Sequence, residues 1–575
     1  MSDSNLYTVS KPRFARWLVE PMLQNRSTYM KVAVAAALIN TFGLVTSIFT
    51  MTVYDRVLPN NATTSLAGLT IGLLFVIFFD FALRTLRSYF VDIAGANVDR
   101  DVGDSAFRKL IAMRLDNKRG STGALAGTLR ELETLRDFFA SASLSAFIDV
   151  PFILLSLAVV ALIGGWVVVV PLLMVPLVVI AGVVTFPAMD RLATESMNEK
   201  LHKQSVLVEA IGGIETVKAT GAGNLLTRRW LQAIDMQSEL GTRQRLIASL
   251  STNVANAAQT MSYAGVIVIG VLMVENRELT TGGLIACSLL SSRAVAPLGQ
   301  IAQLLSRLTA SRTAYRTLNQ FMQQPHENEG DGKIRLNRIE GRVEFRDVSF
   351  KYPGAKDYAL EHVNLKIEPG ERVGILGRVG SGKSTIARLA LGLYEPAEGL
   401  VLLDGSDLNE IDSVSMRQHI GSALQESVLL TGSIRENITL EHPHIDDDEM
   451  IRASQLAGAH DFVSRITNGY NVKLSDRGES LSGGQRQSIA LARALAGKPR
   501  LLIFDEPTSS MDAQSEQALI QRLKEETKDR TMIIITHRTP MLSLCTRIIL
   551  IQDGKIQMDG PRDAVLQKLS RPAAA

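Results

Sequence analysis

GRVGSGKST, from Gly377 to Thr385, has the side chains and spacing to hold a polyphosphate. It satisfies G-x-x-x-x-G-K-[ST] through Gly377, Gly382, Lys383 and Ser384, between RVGIL, which reads as a strand, and STIARLALGL, which reads as a helix. Glycines at this spacing let backbone N–H groups turn inward around phosphate oxygens, and the start of a helix adds the positive end of its dipole. Lys383 is then expected to reach the β- and γ-phosphates and Ser384 to ligate magnesium. Arg378, Val379, Gly380, Ser381 and Thr385 complete the expected nucleotide-binding loop.

Farther along, LLIFDEP ends an apolar strand on two carboxylates. Asp505 is suited to hold magnesium through water, and Glu506 to orient and deprotonate the water that attacks a γ-phosphoryl group. A carboxylate pair at a strand end also serves as a helix cap or a solvated charge. Its separation from the phosphate loop by a long, mostly helical insertion favours the nucleotide reading. A second glycine turn, in ESLSGGQRQSIALARALAG from Glu479 to Gly497, opens an amphipathic helix. It lacks the lysine and magnesium ligand of a complete phosphate cradle, so it reads as half of a site.

These groups need a scaffold. RVEFRDVSF, RVGILG, GLVLLDG, RLLIFDE and TMIIITH read as buried strands of an α/β domain, which begins after the polar stretch QQPHENEGDGKIRLNRIEG. The chain before it is different in kind. Of the 575 residues 46% are hydrophobic, with a mean hydropathy of +0.13, a composition leaning toward a membrane protein. No charged side chain occurs between Phe152 and Met189, twice the roughly 20 residues one crossing needs. Gly164, Gly165 and Trp166 break that run into an expected helical hairpin.

Hydropathy places six spans, at Met30–Met51, Leu66–Leu83, Leu144–Gly164, Trp166–Phe186, Asn253–Val274 and Leu284–Leu305, the last two interrupted by Asn253, Asn256, Gln259 and Arg293. Lys11, Arg13, Arg16, Arg26 and Lys31 precede the first, and Arg84, Arg87, Arg100, Arg108, Lys109, Arg114, Lys118 and Arg119 follow the second, so both segments are expected on the cytoplasmic side. The about 28 residues before the first span lack a signal-peptide cleavage pattern, and that helix is expected to stay as an uncleaved anchor. Two long loops, after spans two and four, are expected to extend as helices into the cytoplasm, with tips in TLRELETLRDFF and EAIGGIETVKATGAG. A net charge of +3 with no basic stripe argues against nucleic acid as a partner. Cys287 and Cys545 read as small apolar side chains in reduced surroundings.

Gly377–Ser384, LSGGQ at Leu481–Gln485 and LLIFDE together resemble the ATP-binding cassette (ABC) transporters, over nearly the whole chain. The resemblance implies an α-helical six-span ABC exporter membrane domain plus an α/β P-loop NTPase (ABC ATPase) domain with a helical subdomain. The expected division is 1–28 as a cytoplasmic N-terminal segment, 29–322 as the transmembrane domain, 323–340 as linker, 341–570 as the nucleotide-binding domain and 571–575 as tail. It also implies roles: Tyr352 stacks on adenine, Gln425 senses magnesium and γ-phosphate, His537 is the switch histidine, and Asp512 of SSMD crosses to the partner domain. Leu481, Ser482, Gly483, Gly484 and Gln485 form the signature, which in the family binds the γ-phosphate of ATP held on the opposite subunit. One loop of each kind per chain therefore implies a dimer, most simply a homodimer, with ATP and Mg2+ bound between its halves. Each residue also has a plainer use: Tyr352 as an edge-strand aromatic, Gln425 as a solvated amide, His537 as a polar strand end.

Fusion of spans to a C-terminal nucleotide domain resembles exporters. MTVYDRVLPNNATTSL and FDFALRTLRSYF resemble, further, the bacterial type I secretion exporters, which move unfolded proteins through a periplasmic adaptor and an outer-membrane channel. That implies a bacterial inner-membrane location with termini and nucleotide domain cytoplasmic. Asp55 and Arg56 serve otherwise as an interfacial cap, and Asp80 and Arg84 as an i,i+4 ion pair. Many such exporters carry an N-terminal papain-like domain; the residues before the first span are too few for one, so cargo recognition is expected in the membrane or nucleotide domains. Arg293 is expected to face the interior or a water-filled cavity and to contact the translocating chain or a neighbouring carbonyl. The alternatives are an exporter of lipid or small molecules and, in another class, an ATP-gated channel or sensor.

Overall fold

A computed structural model of the chain describes residues 15–117, 121–139, 142–328 and 332–570. Lys11, Arg13, Lys118, Arg119 and the expected tail 571–575 lie outside them. Contacts divide the chain into two units, Met1–Ile111 with Arg119–Gln324, and Ala112–Lys118 with Pro325–Ala575.

The first unit is helical: α1 Arg16–Gln24, α2 Arg26–Thr52, α3 Thr63–Ile111, α4 Thr122–Phe139, α5 Ala142–Gly164, α6 Val169–Gly212, α7 Ile214–Thr220, α8 Gly223–Glu275 and α9 Thr281–Met322. Among the described residues, four helical stretches are long and apolar enough to cross a membrane: Arg26–Val57, Thr63–Ile111, Pro151–Gly212 and Gly223–Glu275. The third holds two of the expected spans. Gly165 takes φ +51, and a 3-10 turn Gly165–Val168 follows. Ile153 and Leu157 before this break share one apolar cluster with Met174 and Val178 after it. At 1.5 Å per residue a straight helix would hold Ile153 and Val178 roughly 37 Å apart, so their joining one cluster around Ala294 and Val295 of α9 requires the chain to reverse at the glycines. The apolar part of α9 is shorter, Thr281–Ala296.

Polar side chains tie the helices together. Asp149 of α5 accepts from Asn40 Nδ2 of α2 at 2.8 Å and pairs with Arg87 of α3 at 3.3 Å. Asp80 and Arg84 form the i,i+4 pair, at 2.7 Å. Asp55, in a π-helical turn Val53–Val57, serves a helix distant in sequence: its Oδ2 accepts from Thr280 Oγ1 at 2.6 Å and its Oδ1 from the Gly282 N–H at 2.8 Å, capping α9. Arg293 is exposed within the chain, and its guanidinium lies across α2 at Gly43, where a Cβ would come within 2.4 Å of it.

TLRELETLRDFF is not a loop tip. It lies in α4, whose Leu135 packs with Met197, Ala314 and Leu318, and whose buried Glu131 accepts from Lys200 Nζ at 2.6 Å. The amphipathic pattern belongs to a helix that finds a core. The segment of this loop that joins the second unit is Ala112–Lys118: the Glu327 N–H donates to Ala112 O at 2.8 Å, Met113 bridges His326, and Arg114 pairs with Glu395. In the other long loop, the expected tip contains α7, a short helix with no buried residue.

The second unit contains β1 Val343–Phe350, β2 Leu360–Ile367, β3 Arg372–Leu376, α10 Lys383–Ala390, β4 Glu398–Leu403, β5 Ser406–Asp407, α11 Ser413–Gln418, β6 Ile420–Ala423, β7 Gly432–Ser433, α12 Ile434–Thr439, α13 Asp447–Ala457, α14 His460–Val463, β8 Lys473–Leu474, α15 Gly483–Leu495, β9 Leu501–Asp505, α16 Ala513–Glu526, β10 Thr531–Ile535, β11 Arg547–Gln552, β12 Lys555–Pro561 and α17 Arg562–Ser570. One sheet has the order β12-β11-β3-β10-β9-β6, with all neighbours parallel except β12. β9 and β10 are buried at every position, as continuous apolar runs in a covered parallel sheet should be. β1 and β4 form a separate antiparallel sheet with β2 and β5. α12 to α15 pack in one cluster with a face of the parallel sheet, joining Ile434, Met450, Val463 and Ile489, all fully or nearly fully buried, to Phe504 of β9 and Ile534 of β10. Cys287 and Cys545 are free and buried, and burial pushes the Cys545 thiol up to about 12.

Candidate active site

The register Ile535↔Asp505 and Ile535↔Ile375 brings the carboxyl ends of β9, β10 and β3 level, with β6 beside β9. Loops leaving these ends share the crevice where ligands bind open α/β sheets. β3 leads into Gly377–Gly382 and then α10. Gly382 takes φ +100 with a Cβ position 2.3 Å from Ala359 O, and a Cβ on Gly377 would lie 2.2 Å from Ile551 O. Only glycine fits either place, and the tight path leaves Arg378, Val379 and Gly380 exposed at the tip while Ser381 and Thr385 are buried beneath. Lys383 Nζ donates to Gly377 O at 2.8 Å and Arg378 O at 2.7 Å, which holds the ammonium at the loop. Partial burial lowers its pKa.

Asp505 is 2% exposed. Burial is the largest influence on it and raises its pKa; Ser384, hydrogen-bonded to it, pulls the other way. Its Oδ1 is buried with no hydrogen-bond partner. An unpartnered carboxylate oxygen next to a serine hydroxyl fits a hard divalent cation, which takes oxygen ligands.

Glu506 follows with φ +51. Its N–H donates to Ile535 O at 2.8 Å, its Oε1 lies 2.6 Å from His537 Nδ1, and Thr536 Oγ1 donates to its Oε2 at 3.4 Å. The His537 side chain is 72% exposed, so its second ring nitrogen remains accessible. Gln425 is exposed two residues beyond β6, on the same side of the sheet as the phosphate loop. Tyr352 is held edge-on by Phe350 and Tyr394, at centroid distances of 4.9 and 5.4 Å. Its hydroxyl lies 3.1 Å from Thr385 Oγ1 and accepts from Arg388 at 2.8 Å. Nothing in the sequence reading had marked Arg388, which is brought to the tyrosine by its position on α10.

The signature turn stands apart. Ser482 caps α15 through a capping box with Gln485, its Oγ accepting from the Gln485 N–H at 3.3 Å while the Ser482 N–H donates to Gln485 Oε1 at 2.9 Å. Leu481 points the other way, into the helical core. Ser482, Gly483 and Gly484 line an open cleft with Phe462, Ser510 and Asp512; among the described residues, none from 377–385 lines it. Asp512 caps α16, accepting from the Ser515 N–H at 2.9 Å and Ser515 Oγ at 2.7 Å, and these bonds keep its carboxyl below the usual range.

The family described as ABC transporter matches residues 360–509, and the ABC transporter transmembrane region matches residues 30–298. The chain belongs to the ABC transporter family. It is an ABC exporter by fold, with transmembrane region and ATPase in one chain: a solved structure titled as a bacterial Atm1-family ABC exporter with ATP bound superimposes with a TM-score of 0.86 at 21% identity, covering 96% of this chain and 99% of that one. Among curated proteins, the exotoxin translocation ATP-binding protein PaxB of Pasteurella aerogenes is 33% identical over 96% of this chain and 78% of its own length. The leukotoxin translocation ATP-binding protein LktB of Mannheimia glucosida is 32% identical with the same coverage. This ABC transporter is thus a multi-pass membrane protein that binds ATP and couples its hydrolysis to transport.

Proposed function

We propose that the chain is the permease and ATPase of a type I secretion system in the bacterial inner membrane, exporting an unfolded protein through a periplasmic adaptor and an outer-membrane channel. The observation that carries the cargo class is coverage. Relatives named for toxin translocation align over 96% of the chain, membrane helices included, and it is those helices that meet the cargo. We read six crossings, with both termini and the ATPase domain cytoplasmic, and a homodimer as the working unit.

In this reading Lys383 and the Gly377–Thr385 amides bind the β- and γ-phosphates and Tyr352 meets the adenine. Ser384, Asp505 and Gln425 would hold Mg2+, which when bound neutralises phosphate charge during transfer. Glu506 orients the attacking water and takes its proton onto a carboxylate oxygen, and His537 holds that carboxylate while its free nitrogen faces the γ-phosphate. Ser482, Gly483 and Gly484 complete the site of the opposite subunit, beside Asp512. That division is supported by the cleft they line within one chain, to which, among the described residues, the Lys383 loop contributes none.

Glu506→Gln is expected to abolish turnover while leaving ATP trapped in the dimer; substantial residual ATPase activity would remove Glu506 as the base. For the cargo, cells lacking the protein should retain one secreted protein inside, and the adaptor should copurify with the exporter. Lipid or drug flux in adaptor-free proteoliposomes would instead support a small-molecule exporter.

A further inference from the structure

We propose that Gln487 is a positioning residue for hydrolysis, holding the backbone of Glu506 from the helix that carries the signature turn. The proposal rests on the reading of Glu506 as the base. Gln487 lies in α15 just past the capping box and is 4% exposed. Each polar group of its amide is used. Nε2 donates to Glu506 O at 2.8 Å and to Ser509 Oγ at 3.1 Å, and Oε1 accepts from the Ser510 N–H at 2.9 Å. A buried primary amide is costly unless satisfied in this way, and an apolar side chain of the same length could fill the space without it.

Glu506 is the residue that needs holding. A left-handed φ is unusual for a side chain of this size, and it persists only where surrounding bonds enforce it. The Glu506 N–H is fixed by β10 and its carbonyl by Gln487, with the Ser509 N–H a longer donor at 3.2 Å. The direction of the side chain toward His537 follows from that peptide plane. The start of α15 also packs on the same turn: a Cβ on Gly484 would come within 3.0 Å of Ser510 O, and one on Gly483 within 3.3 Å of Ser510 Cβ. The signature turn, Ser510 and the Glu506 peptide therefore move together. In the dimer, a shift of Ser482 against the partner's nucleotide is carried to the Glu506 that serves this chain's own nucleotide.

The test uses the full-length protein with two variants. Gln487→Met keeps the length and removes all three bonds; Gln487→Glu keeps an acceptor for Ser510 but cannot donate to Glu506 O. Both are expected to lower kcat at least tenfold while KM for ATP and the affinity for a fluorescent ATP analogue stay within twofold. A kcat within twofold of the parent in Gln487→Met overturns the proposal. So does a loss of kcat in both variants that is matched by loss of nucleotide binding or of folded protein, since that marks a packing role. Glu506→Gln measured alongside keeps the two readings apart. If it still turns over, the base assignment fails; if it is dead while Gln487→Met is normal, only the positioning role fails.

Discussion

Asp505 and Glu506 are adjacent in sequence and meet burial differently. The Glu506 carboxylate has His537 and Thr536 as partners, whereas Asp505 keeps one oxygen buried and unpaired. An unsatisfied buried acceptor costs about 1–3 kcal/mol. Because burial raises the Asp505 pKa, the charged form is a destabilising contribution at neutral pH. As pH falls from the raised value toward the ordinary carboxylate value, the folded chain takes up a proton that the unfolded chain does not, and the penalty is relieved. Asp505→Asn is therefore expected to raise the unfolding temperature of the nucleotide-free protein at pH 8, with a smaller advantage at pH 5, and to lose the further stabilisation by magnesium with ATP. Thermal unfolding at the two pH values checks both; an undiminished magnesium increment would remove Asp505 from the metal site. The placement of Lys383 and Ser384 at a strand-to-helix turn and of this carboxylate pair at a strand end was legible in contiguous sequence, because both are local constructions.

At the scale of elements, the chain placed its helices where apolar runs demanded, but periodicity could not say what each helix meets. α4 has the amphipathic pattern of an exposed arm and is a packed member of the bundle. Asp55 reads as an interfacial charge and reinforces the Thr280 N-cap of α9 by accepting from Thr280 and the Gly282 N–H, across more than two hundred residues of sequence. Losing such a cap costs roughly 0.5–2 kcal/mol. Asp55→Ala should accordingly lower the unfolding temperature of the purified protein, and Asp55→Asn should lower it less, since its remaining carbonyl oxygen can still accept from the Gly282 N–H. Equal losses would mean that charge, not the cap, is what α9 uses. Arg293 also depends on its neighbour: room for it on α2 exists because residue 43 has no side chain.

For the whole molecule, the most apolar window of α3 has no residue buried within the chain, and Leu74, Phe75, Phe78 and Phe81 are exposed along it. Lipid or a second copy must cover such a face. In the ATPase half, the cleft at Ser482, Gly483 and Gly484 is lined by no residue of 377–385 among the described residues. A mixed dimer of Lys383→Ala with Ser482→Ala is thus expected to regain at most one working site, measured as ATPase activity no greater than half that of the parent. Activity no greater than that of the two single-variant homodimers would mean that each chain completes its own site.

The sequence by itself determined the local constructions: the glycine loop after a strand, the two carboxylates at a strand end, the capped glycine turn and the apolar runs, each specified within about ten neighbouring residues by backbone conformation or hydrophobicity. Tertiary structure alone decided which distant groups converge. It placed Gln487 on the Glu506 carbonyl, Arg388 on the Tyr352 hydroxyl and Ala112–Lys118 with the second unit, while turning Leu481 away from the cleft. Those placements follow from strand register and helix packing, which bring together side chains whose separation along the chain carries no local signal.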